Sequence, residues 1–97
     1  MANTERFEKV DIGKLIPYAR NARTHSKEQI AQLRASLREF GFVSPVIIDS
    51  DYNIIAGHGR VAAAKEEGYT TVPCVFAENL TEAQKRAYIL ADNRLAM

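Results

Sequence analysis

Apolar and polar residues follow two different periods along this chain, and the changes of period divide it into elements. A period of two, or a short β-branched run between turn residues, predicts a strand. Four such runs occur, at Phe7–Ile12, Val46–Asp49, Asn53–Ala56 and Val72–Phe76. A turn signal at Asp51–Asn53 joins the second run to the third and predicts a hairpin.

The first helical segment carries its own start and stop signals. Ser26 opens the sequence S-K-E-Q, a capping box in which the Ser26 hydroxyl accepts the Gln29 backbone N–H. Gly41 is placed to close the helix in a left-handed conformation. Between them runs one apolar stripe, formed by Ile30, Leu33, Leu37 and Phe40.

Two further helices are predicted. An alanine-rich helix runs over Val61–Glu67 and stops at Gly68, after Gly57–Arg60 has broken the preceding strand. The last helix opens at Thr81 with T-E-A-Q, a second capping pattern, and runs to near Met97. It carries two apolar stripes, Ala83, Ala87 and Leu90, and Tyr88, Ala91 and Leu95. We therefore expect another neighbour for this helix, and a chain excised from something longer.

The composition fits one globular domain, 1–97, because 97 residues with 46% hydrophobic content bury one modest core. The elements predict an α+β fold, a small mixed sheet of about four strands with three main helices around it. The single cysteine, Cys74, excludes an internal disulfide, and its apolar neighbours predict a buried, inert thiol. No long apolar run or signal-type start is present, so the expected location is cytoplasmic.

Charge is uneven although the formal net charge is only +1. The segment from Arg20 to Arg38 holds one acid, Glu28, against five cations: Arg20, Arg23, Lys27, Arg34 and Arg38. This excess could receive phosphates, or it could form a solvated helix face. The sequence leaves both interpretations open.

The stretch IIAGHGRVAA carries the clearest candidate chemistry. A strand that ends in glycine and turns into a helix brings the first N–H groups of that helix to one point, and such a point attracts anions. Gly57 and Gly59 keep side chains out of the approach, Arg60 offers a planar fork of donors, and His58 titrates near neutral pH. The alternative is a structural turn in which Arg60 is salt-bridged.

Metal sites are the next candidate. The two histidines, His25 and His58, are far apart in sequence, which disfavours a permanent protein-held metal site with Asp92. A phosphate-held magnesium ion needs only one or two protein oxygens. Asp92 and Asn93 supply such oxygens in the polar stretch ADNR, although a solvated helix face is the alternative interpretation.

The order of these motifs resembles the ParB N-terminal domain of the ParB/sulfiredoxin superfamily. The resemblance covers about residues 7–96 and is carried by N-A-R-T-H, S-L-R-E-F-G-F-V-S-P, I-I-A-G-H-G-R and L-A-D-N-R-L-A. The sequences of these motifs are most similar to those of the ParB-like segment that precedes DNA methyltransferase domains in bacterial, phage and mobile-element proteins.

The resemblance implies a pocket for a nucleoside triphosphate, which is CTP in ParB proteins, together with Mg²⁺. On the matching positions, the phosphates would be held by Gly57, His58, Gly59, Arg60 and Arg23. The base and ribose side would be lined by Gly41, Phe42, Val43, Ser44 and Pro45. The metal would face Asp92 and Asn93, and the N-A-R-T-H loop adds Asn21, Thr24 and His25 as further candidates.

The chain also departs from the family pattern. His58 stands where ParB proteins have glutamate and Gly59 where they have the first arginine, which weakens the case for CTP hydrolysis. Sulfiredoxin chemistry is excluded because its reactive cysteine would fall at His58, and Cys74 is elsewhere. Ala56 stands where the related free serine kinases have an aspartate, which weakens the case for kinase activity. No helix-turn-helix segment follows, so the sequence-specific DNA reader of full ParB proteins is not expected here.

Three functions remain open. The leading hypothesis is a nucleotide-binding module associated with DNA binding, partition or DNA modification. The second is an Mg²⁺-dependent nuclease or phosphotransferase, with His58 and Asp92 as catalytic candidates. The third is a structural or dimerisation module with a vestigial pocket. The expected partners are a nucleotide, DNA through another domain, and either a following methyltransferase domain or a second copy of the chain.

Overall fold

The computed structural model of the chain describes residues 6–17 and 26–95, as three α-helices, four strands and a short 3₁₀ turn. In chain order these are β1 (Arg6–Asp11), the 3₁₀ turn (Ile12–Lys14), α1 (Lys27–Phe40), β2 (Val46–Ile48), β3 (Ile54–Ala56), α2 (His58–Glu66), β4 (Thr71–Phe76) and α3 (Glu82–Leu95). The predicted α+β class, with a four-stranded sheet and three main helices, is confirmed.

The four strands form one mixed sheet in the order β1-β4-β2-β3. The β2–β3 and β1–β4 pairs are antiparallel, whereas β2 and β4 are parallel and are separated in the chain by β3 and α2. Alternate residues of the central strands, among them Val46, Ile48 and Cys74, are fully buried beneath α1 and α2. On β3 both faces are covered, since α3 contacts this strand and Ile55 is also 0% exposed.

The predicted helix starts at Ser26 and Thr81 are confirmed. The Ser26 Oγ accepts the Gln29 N–H at 3.1 Å, and the Gln29 side chain accepts the Ser26 N–H at 3.1 Å. The Thr81 Oγ1 and Gln84 make the same pair of bonds at 3.1 and 2.9 Å. Each box supplies acceptors to N–H groups that have no partner within the helix.

The predicted end of the first helix at Gly41 is confirmed, but the conformation of Gly41 and the start of the second helix need correction. Gly41 has a positive φ of 69°, but its ψ of −159° is not the left-handed helical value, so the chain leaves α1 in an extended direction. The second helix begins at His58 rather than Val61. The sharp change of direction is completed within Gly57, at φ 106° and ψ 21°, and the helix therefore begins at the next residue.

The apolar stripes predicted for the last helix are wrong in part. Among the α3 side chains that the structure describes, up to Ala91, the fully buried one is Ile89, one turn after the mostly buried Lys85, whereas Ala83, Ala87 and Ala91 are exposed. Alanine carries too little apolar surface to decide which face is buried. Apolar surface does remain exposed on α3, since Tyr88 is 46% and Leu90 51% exposed.

Cys74 lies in β4 with 0% exposure, and burial raises the pKa of its thiol to about 11. The predicted buried thiol is therefore confirmed, because almost no reactive thiolate forms near neutral pH. Among the residues described, no helix is both long and apolar enough to cross a membrane.

Candidate functional site

The junction between β3 and α2 consists of a single residue, Gly57. Its φ of 106° lies in a region that side chains rarely adopt, and a Cβ there would lie 3.0 Å from the Arg60 Nη2 and 3.3 Å from the Val46 Cγ2. The first intrahelical bond runs from the Val61 N–H to the Gly57 carbonyl at 3.0 Å. The N–H groups of residues 58–60 therefore precede the first bond of the helix, at the positive end of its dipole.

Arg60 lies in this first turn and is half-buried. Its Nη2 donates to the Pro45 carbonyl at 3.1 Å, and its Nε is buried with no hydrogen-bond partner among the described residues. Among the side chains that the structure describes, which end at Ala91, Arg60 makes no ion pair, so the salt-bridged alternative has no support from these residues. A cation at a helix N-terminus is electrostatically unfavourable, and an anion bound there would relieve this repulsion.

The segment predicted for the base and ribose side lies between α1 and β2 and reaches the same turn at one end. That end is Pro45, whose carbonyl accepts the hydrogen bond from the Arg60 guanidinium. Phe42 instead packs edge-to-face on Tyr69, with ring centroids 5.5 Å apart, and contributes to the core. Val43 is 78% exposed and Ser44 is also exposed, so these two side chains are accessible to a ligand.

The remaining predicted residues divide into three groups. His58 is half-buried and Gly59 buried, both in the first turn of α2 beside Arg60. For Asp92 and Asn93 the structure describes only the backbone, as part of α3, which contacts β3. The other candidates lie outside the described residues: Asn21, Arg23, Thr24 and His25.

No group of three His, Cys, Asp or Glu side chains that could hold a metal ion is found in the described part of the chain. The donor set predicted for Mg²⁺, a carboxylate and an amide, is of the oxygen type that this ion prefers. Magnesium at Asp92 and Asn93 therefore stays a prediction.

Two of the five clustered cations have a structural role. The Arg34 Nε and the Arg38 Nη1 both donate to the Glu67 Oε2, at 2.6 and 2.7 Å, and the Arg34 Nη1 donates to the Glu66 Oε1 at 3.0 Å. The hydrogen bond from Arg34 lowers the pKa of Glu67 below its usual value. These arginines join α1 to the C-terminal end of α2, and their charge is neutralised there.

A groove of about 410 Å³ lies beside this ion-pair network and shares no residue with the Gly57–Arg60 turn. It is lined by Lys27, Ile30, Ala31, Arg34 and Glu66. Because Arg34 is already paired, Lys27 is the one lining cation without an ion pair in the part described, and it is exposed to solvent.

Sequence reasoning missed a buried carboxylate, Asp49. The Asp49 Oδ1 accepts the backbone N–H groups of Asp51 and Asn53, both at 2.9 Å. The Asp49 Oδ2 accepts the Asn53 Nδ2 and the Lys85 Nζ, both at 3.0 Å. Burial opposes ionisation of Asp49, but these hydrogen bonds outweigh it and lower its pKa, while the bond to Asp49 raises the pKa of Lys85. The stretch D-S-D-Y-N after a buried strand could have signalled the turn, but not its partner in α3.

Comparison with known proteins gives a family match over nearly the whole chain. The family model described as the ParB N-terminal domain matches residues 1–94. ParB-like nuclease domain-containing protein YnaK of Escherichia coli K12 is 52% identical over 75 residues, which are 77% of this chain and 86% of that protein. Stage 0 sporulation protein J of Bacillus subtilis is 36% identical over 93 residues, which are 92% of this chain but 33% of that protein. The chain thus spans about a third of the length of this second relative.

Solved structures agree with the fold. The C-terminally truncated chromosome-partitioning protein ParB from Caulobacter crescentus, complexed with CTP-gamma-S, aligns with a TM-score of 0.79 and 26% identity over 94% of this chain and 53% of that one. Sulfiredoxin from Arabidopsis thaliana aligns with a TM-score of 0.70 over 87% of this chain and 97% of that one. At 18% identity, this second likeness concerns the fold alone.

Proposed function

This chain belongs to the ParB N-terminal domain family, and from that premise we propose that it binds the phosphates of a nucleoside triphosphate at the N-terminus of α2. The observation that carries the proposal is Arg60, which stands in the first turn of a glycine-capped helix with its Nε buried and unpartnered in the described part. The CTP-gamma-S complex of a ParB that aligns over 94% of this chain supports CTP as the first nucleotide to test.

The proposed roles follow from charge and position. The first-turn N–H groups and the Arg60 fork bind phosphate oxygens, since both are donors that carry positive charge. The absence of a Cβ at Gly57 leaves room for the Arg60 guanidinium, and the exposed Val43 and Ser44 would contact the base and ribose. Arg23 is a further phosphate donor.

Magnesium belongs to the same proposal. Asp92 and Asn93 would hold a phosphate-bound Mg²⁺ through their oxygens, and the ion would neutralise charge on the triphosphate. No tighter protein-held metal site is needed for this role, because Mg²⁺ keeps several waters in such complexes.

His58 and Gly59 favour binding over hydrolysis. They remove a carboxylate and a cation from the turn that the resemblance assigns to phosphate chemistry in ParB proteins. We therefore assign a regulatory binding role, in a protein associated with DNA binding, partition or DNA modification. Contact with DNA is expected through another domain.

A thermal-shift screen of all nucleoside di- and triphosphates, each with and without Mg²⁺, tests the proposal. A ligand that binds only the folded state at 100 times its Kd stabilises it by about 2.7 kcal/mol, which raises the unfolding midpoint. Titration calorimetry on the best ligand then compares Arg60→Ala with Arg38→Ala. Background binding of every nucleotide, with and without Mg²⁺, would overturn the proposal.

A nuclease is the second candidate, and the printed name of the relative YnaK, at 52% identity, favours it. It predicts Mg²⁺-dependent cleavage of DNA that is lost in Asp92→Ala, in Arg60→Ala and in His58→Ala. Cleavage that persists in all three variants would identify a contaminating nuclease instead.

Self-association is a third candidate, which the exposed Tyr88 and Leu90 of α3 favour. Analytical ultracentrifugation would then show a dimer whose mass falls in Tyr88→Ser and Leu90→Ser but stays unchanged in Arg60→Ala. A monomer at every concentration would exclude this candidate.

A further inference from the structure

One carboxylate joins two distant parts of the fold. Among the residues whose burial the structure describes, 7–17 and 26–91, Asp49 is the single charged residue that is buried, at 2% exposure. Its Oδ1 holds the β2–β3 turn through two N–H groups, and its Oδ2 holds the Lys85 Nζ of α3, 36 residues further along the chain. The turn and α3 are therefore fixed to the same anion.

The contact from Lys85 is more than the turn itself requires. Two backbone N–H groups and the Asn53 Nδ2 already satisfy Asp49. The Lys85 side chain is only 13% exposed, so its ammonium group loses much of its hydration in this contact, at a cost in free energy. A turn held by local hydrogen bonds alone would avoid that cost. Buried ion pairs of this kind are best known for fixing register between elements.

The register of α3 along β3 decides where the second half of this helix lies. Lys85, Ile89 and Asp92 are spaced by four and three residues, so they occupy one face of the helix. Ile89 is fully buried, and α3 contacts β3, the strand that leads into Gly57. Asp92 comes two turns after Lys85, about 10 Å along the axis.

We propose that Lys85 is a positioning residue whose ion pair with Asp49 sets the register of α3 along β3, and with it the place of Asp92 and Asn93 relative to the Gly57–Arg60 turn. The inference rests on the proposed nucleotide-binding function, because only a ligand held between α3 and the turn depends on that register.

A distance measurement tests the register without any ligand. Spin labels on Asp51→Cys and Ala87→Cys would report the separation of the turn and α3, since both positions are exposed. Cys74 is buried with its thiol pKa raised to about 11, so it stays unlabelled in the folded protein. We expect a narrow distribution that shifts or broadens in Lys85→Met and narrows again in Lys85→Arg. An unchanged distribution in Lys85→Met overturns the proposal.

Calorimetric titration with Mg-CTP tests whether the Lys85–Asp49 ion pair affects nucleotide binding, at a temperature where every variant is folded. Lys85→Met is expected to weaken binding by roughly tenfold or more, as is typical when a supporting residue behind a binding site is lost. Glu82→Gln weakens the exposed contact of Lys85 but leaves its bond to Asp49, and it should bind like the parent chain. Glu67→Gln, which weakens the distant α1–α2 network, controls for lost stability.

The outcomes separate the two proposals. Parent-like affinity in Lys85→Met, or equal losses in Lys85→Met and Glu67→Gln, overturns the positioning role while the proposed function stands. If the parent chain binds no nucleotide, the proposed function fails together with the consequence for ligand binding. The spin-label distances still decide whether Lys85 sets the register.

Discussion

Charged side chains at the two ends of α2 differ in whether they are ion-paired. At the C-terminal end, Glu66 and Glu67 oppose the helix dipole, and Arg34 and Arg38 neutralise them at 2.6 to 3.0 Å. At the N-terminal end, Arg60 also opposes the dipole, but its described hydrogen bond goes to a neutral carbonyl, that of Pro45. One end is complete within the chain, and the other is complementary to an anion.

This difference in ion pairing indicates which arginines are available to bind a ligand. The segment richest in cations, around Arg34 and Arg38, contributes to the fold, because acids from another helix reach it. Arg60 stands alone in sequence but keeps donor capacity that no described residue uses. An arginine whose donors the fold leaves unused is therefore the better candidate for phosphate binding.

Gly57→Ala, at the N-terminal end of α2, should cause the largest loss in the free energy of unfolding. A left-handed backbone costs a side chain about 1–2 kcal/mol, and contact with Val46 and Arg60 adds about 1–3 kcal/mol. Gly68→Ala is the matched control, since Gly68 also has a positive φ, of 85°, but a Cβ there meets nothing within 4 Å. Denaturant unfolding should show the larger loss for Gly57→Ala, and equal losses would mean that contact with Arg60 and Val46 is unimportant.

Arg60→Ala should come next, as a loss of affinity rather than of stability. A hydrogen bond to a charged group contributes about 1.5–3 kcal/mol, so binding of the best nucleotide should fall by about ten- to a hundredfold. Arg38→Ala, at the other end of α2, should leave the calorimetric affinity unchanged. If both variants bind equally well, the two ends of the helix do not differ in their capacity for anions.

Asp49→Asn should lower stability at pH 7 by about 1–3 kcal/mol, because it removes the charge that four donors hold. The pKa of Asp49 is lower in the folded chain than its ordinary value of 3.8, so its stabilisation is present above that pH and is lost as the pH falls through the folded pKa. Urea unfolding between pH 2 and pH 7 should therefore show a steeper acid loss in the parent chain than in Asp49→Asn. Parallel profiles would contradict this assignment.

Glu67→Gln should have a smaller effect, confined to the C-terminal end. Its pKa is lowered first by the hydrogen bond from Arg34, so its stabilisation also disappears as the pH falls below the ordinary value of 4.5. The Glu67 side chain is only 12% exposed, but its partners Arg34 and Arg38 are 38% and 56% exposed, so salt should screen these pairs in part. The melting-temperature difference from the parent should therefore shrink in 1 M NaCl. A salt-independent difference would indicate packing instead.

The smallest effect is expected at Cys74, which lies at neither end of α2. Its thiol should react with iodoacetamide at pH 8 only as fast as the chain unfolds, because burial raises its pKa to about 11. Added denaturant should accelerate the labelling, which mass spectrometry can follow. Fast labelling of the folded chain would contradict the burial of β4.

Local signals in the sequence were sufficient for much of the fold. The capping boxes at Ser26 and Thr81 and the strand runs at Val46 and Val72 involve residues at most a few positions apart, so their physics is visible in a short window. The same holds for the Gly57–Arg60 turn, where a strand, a glycine and a helix follow one another directly.

The assignment of charges to partners was not visible in the sequence. Glu67 lies 33 residues from Arg34, and Lys85 lies 36 residues from Asp49, so no periodicity connects them. The face of α3 that is buried was also not predictable, since alanines at several positions gave two equally good stripes where the fold buries Ile89.

The sequence by itself therefore determined the elements and their order, including the glycine turn at which we propose anion binding, because propensity, capping and glycine conformation act between near neighbours. The tertiary structure alone decided which charges are neutralised within the chain. Packing α1 against α2 neutralises Arg34 and Arg38, packing α3 against β3 neutralises Lys85 with Asp49, and neither contact reaches Arg60. Electrostatic pairing depends on distance in space, and only the fold determines that distance.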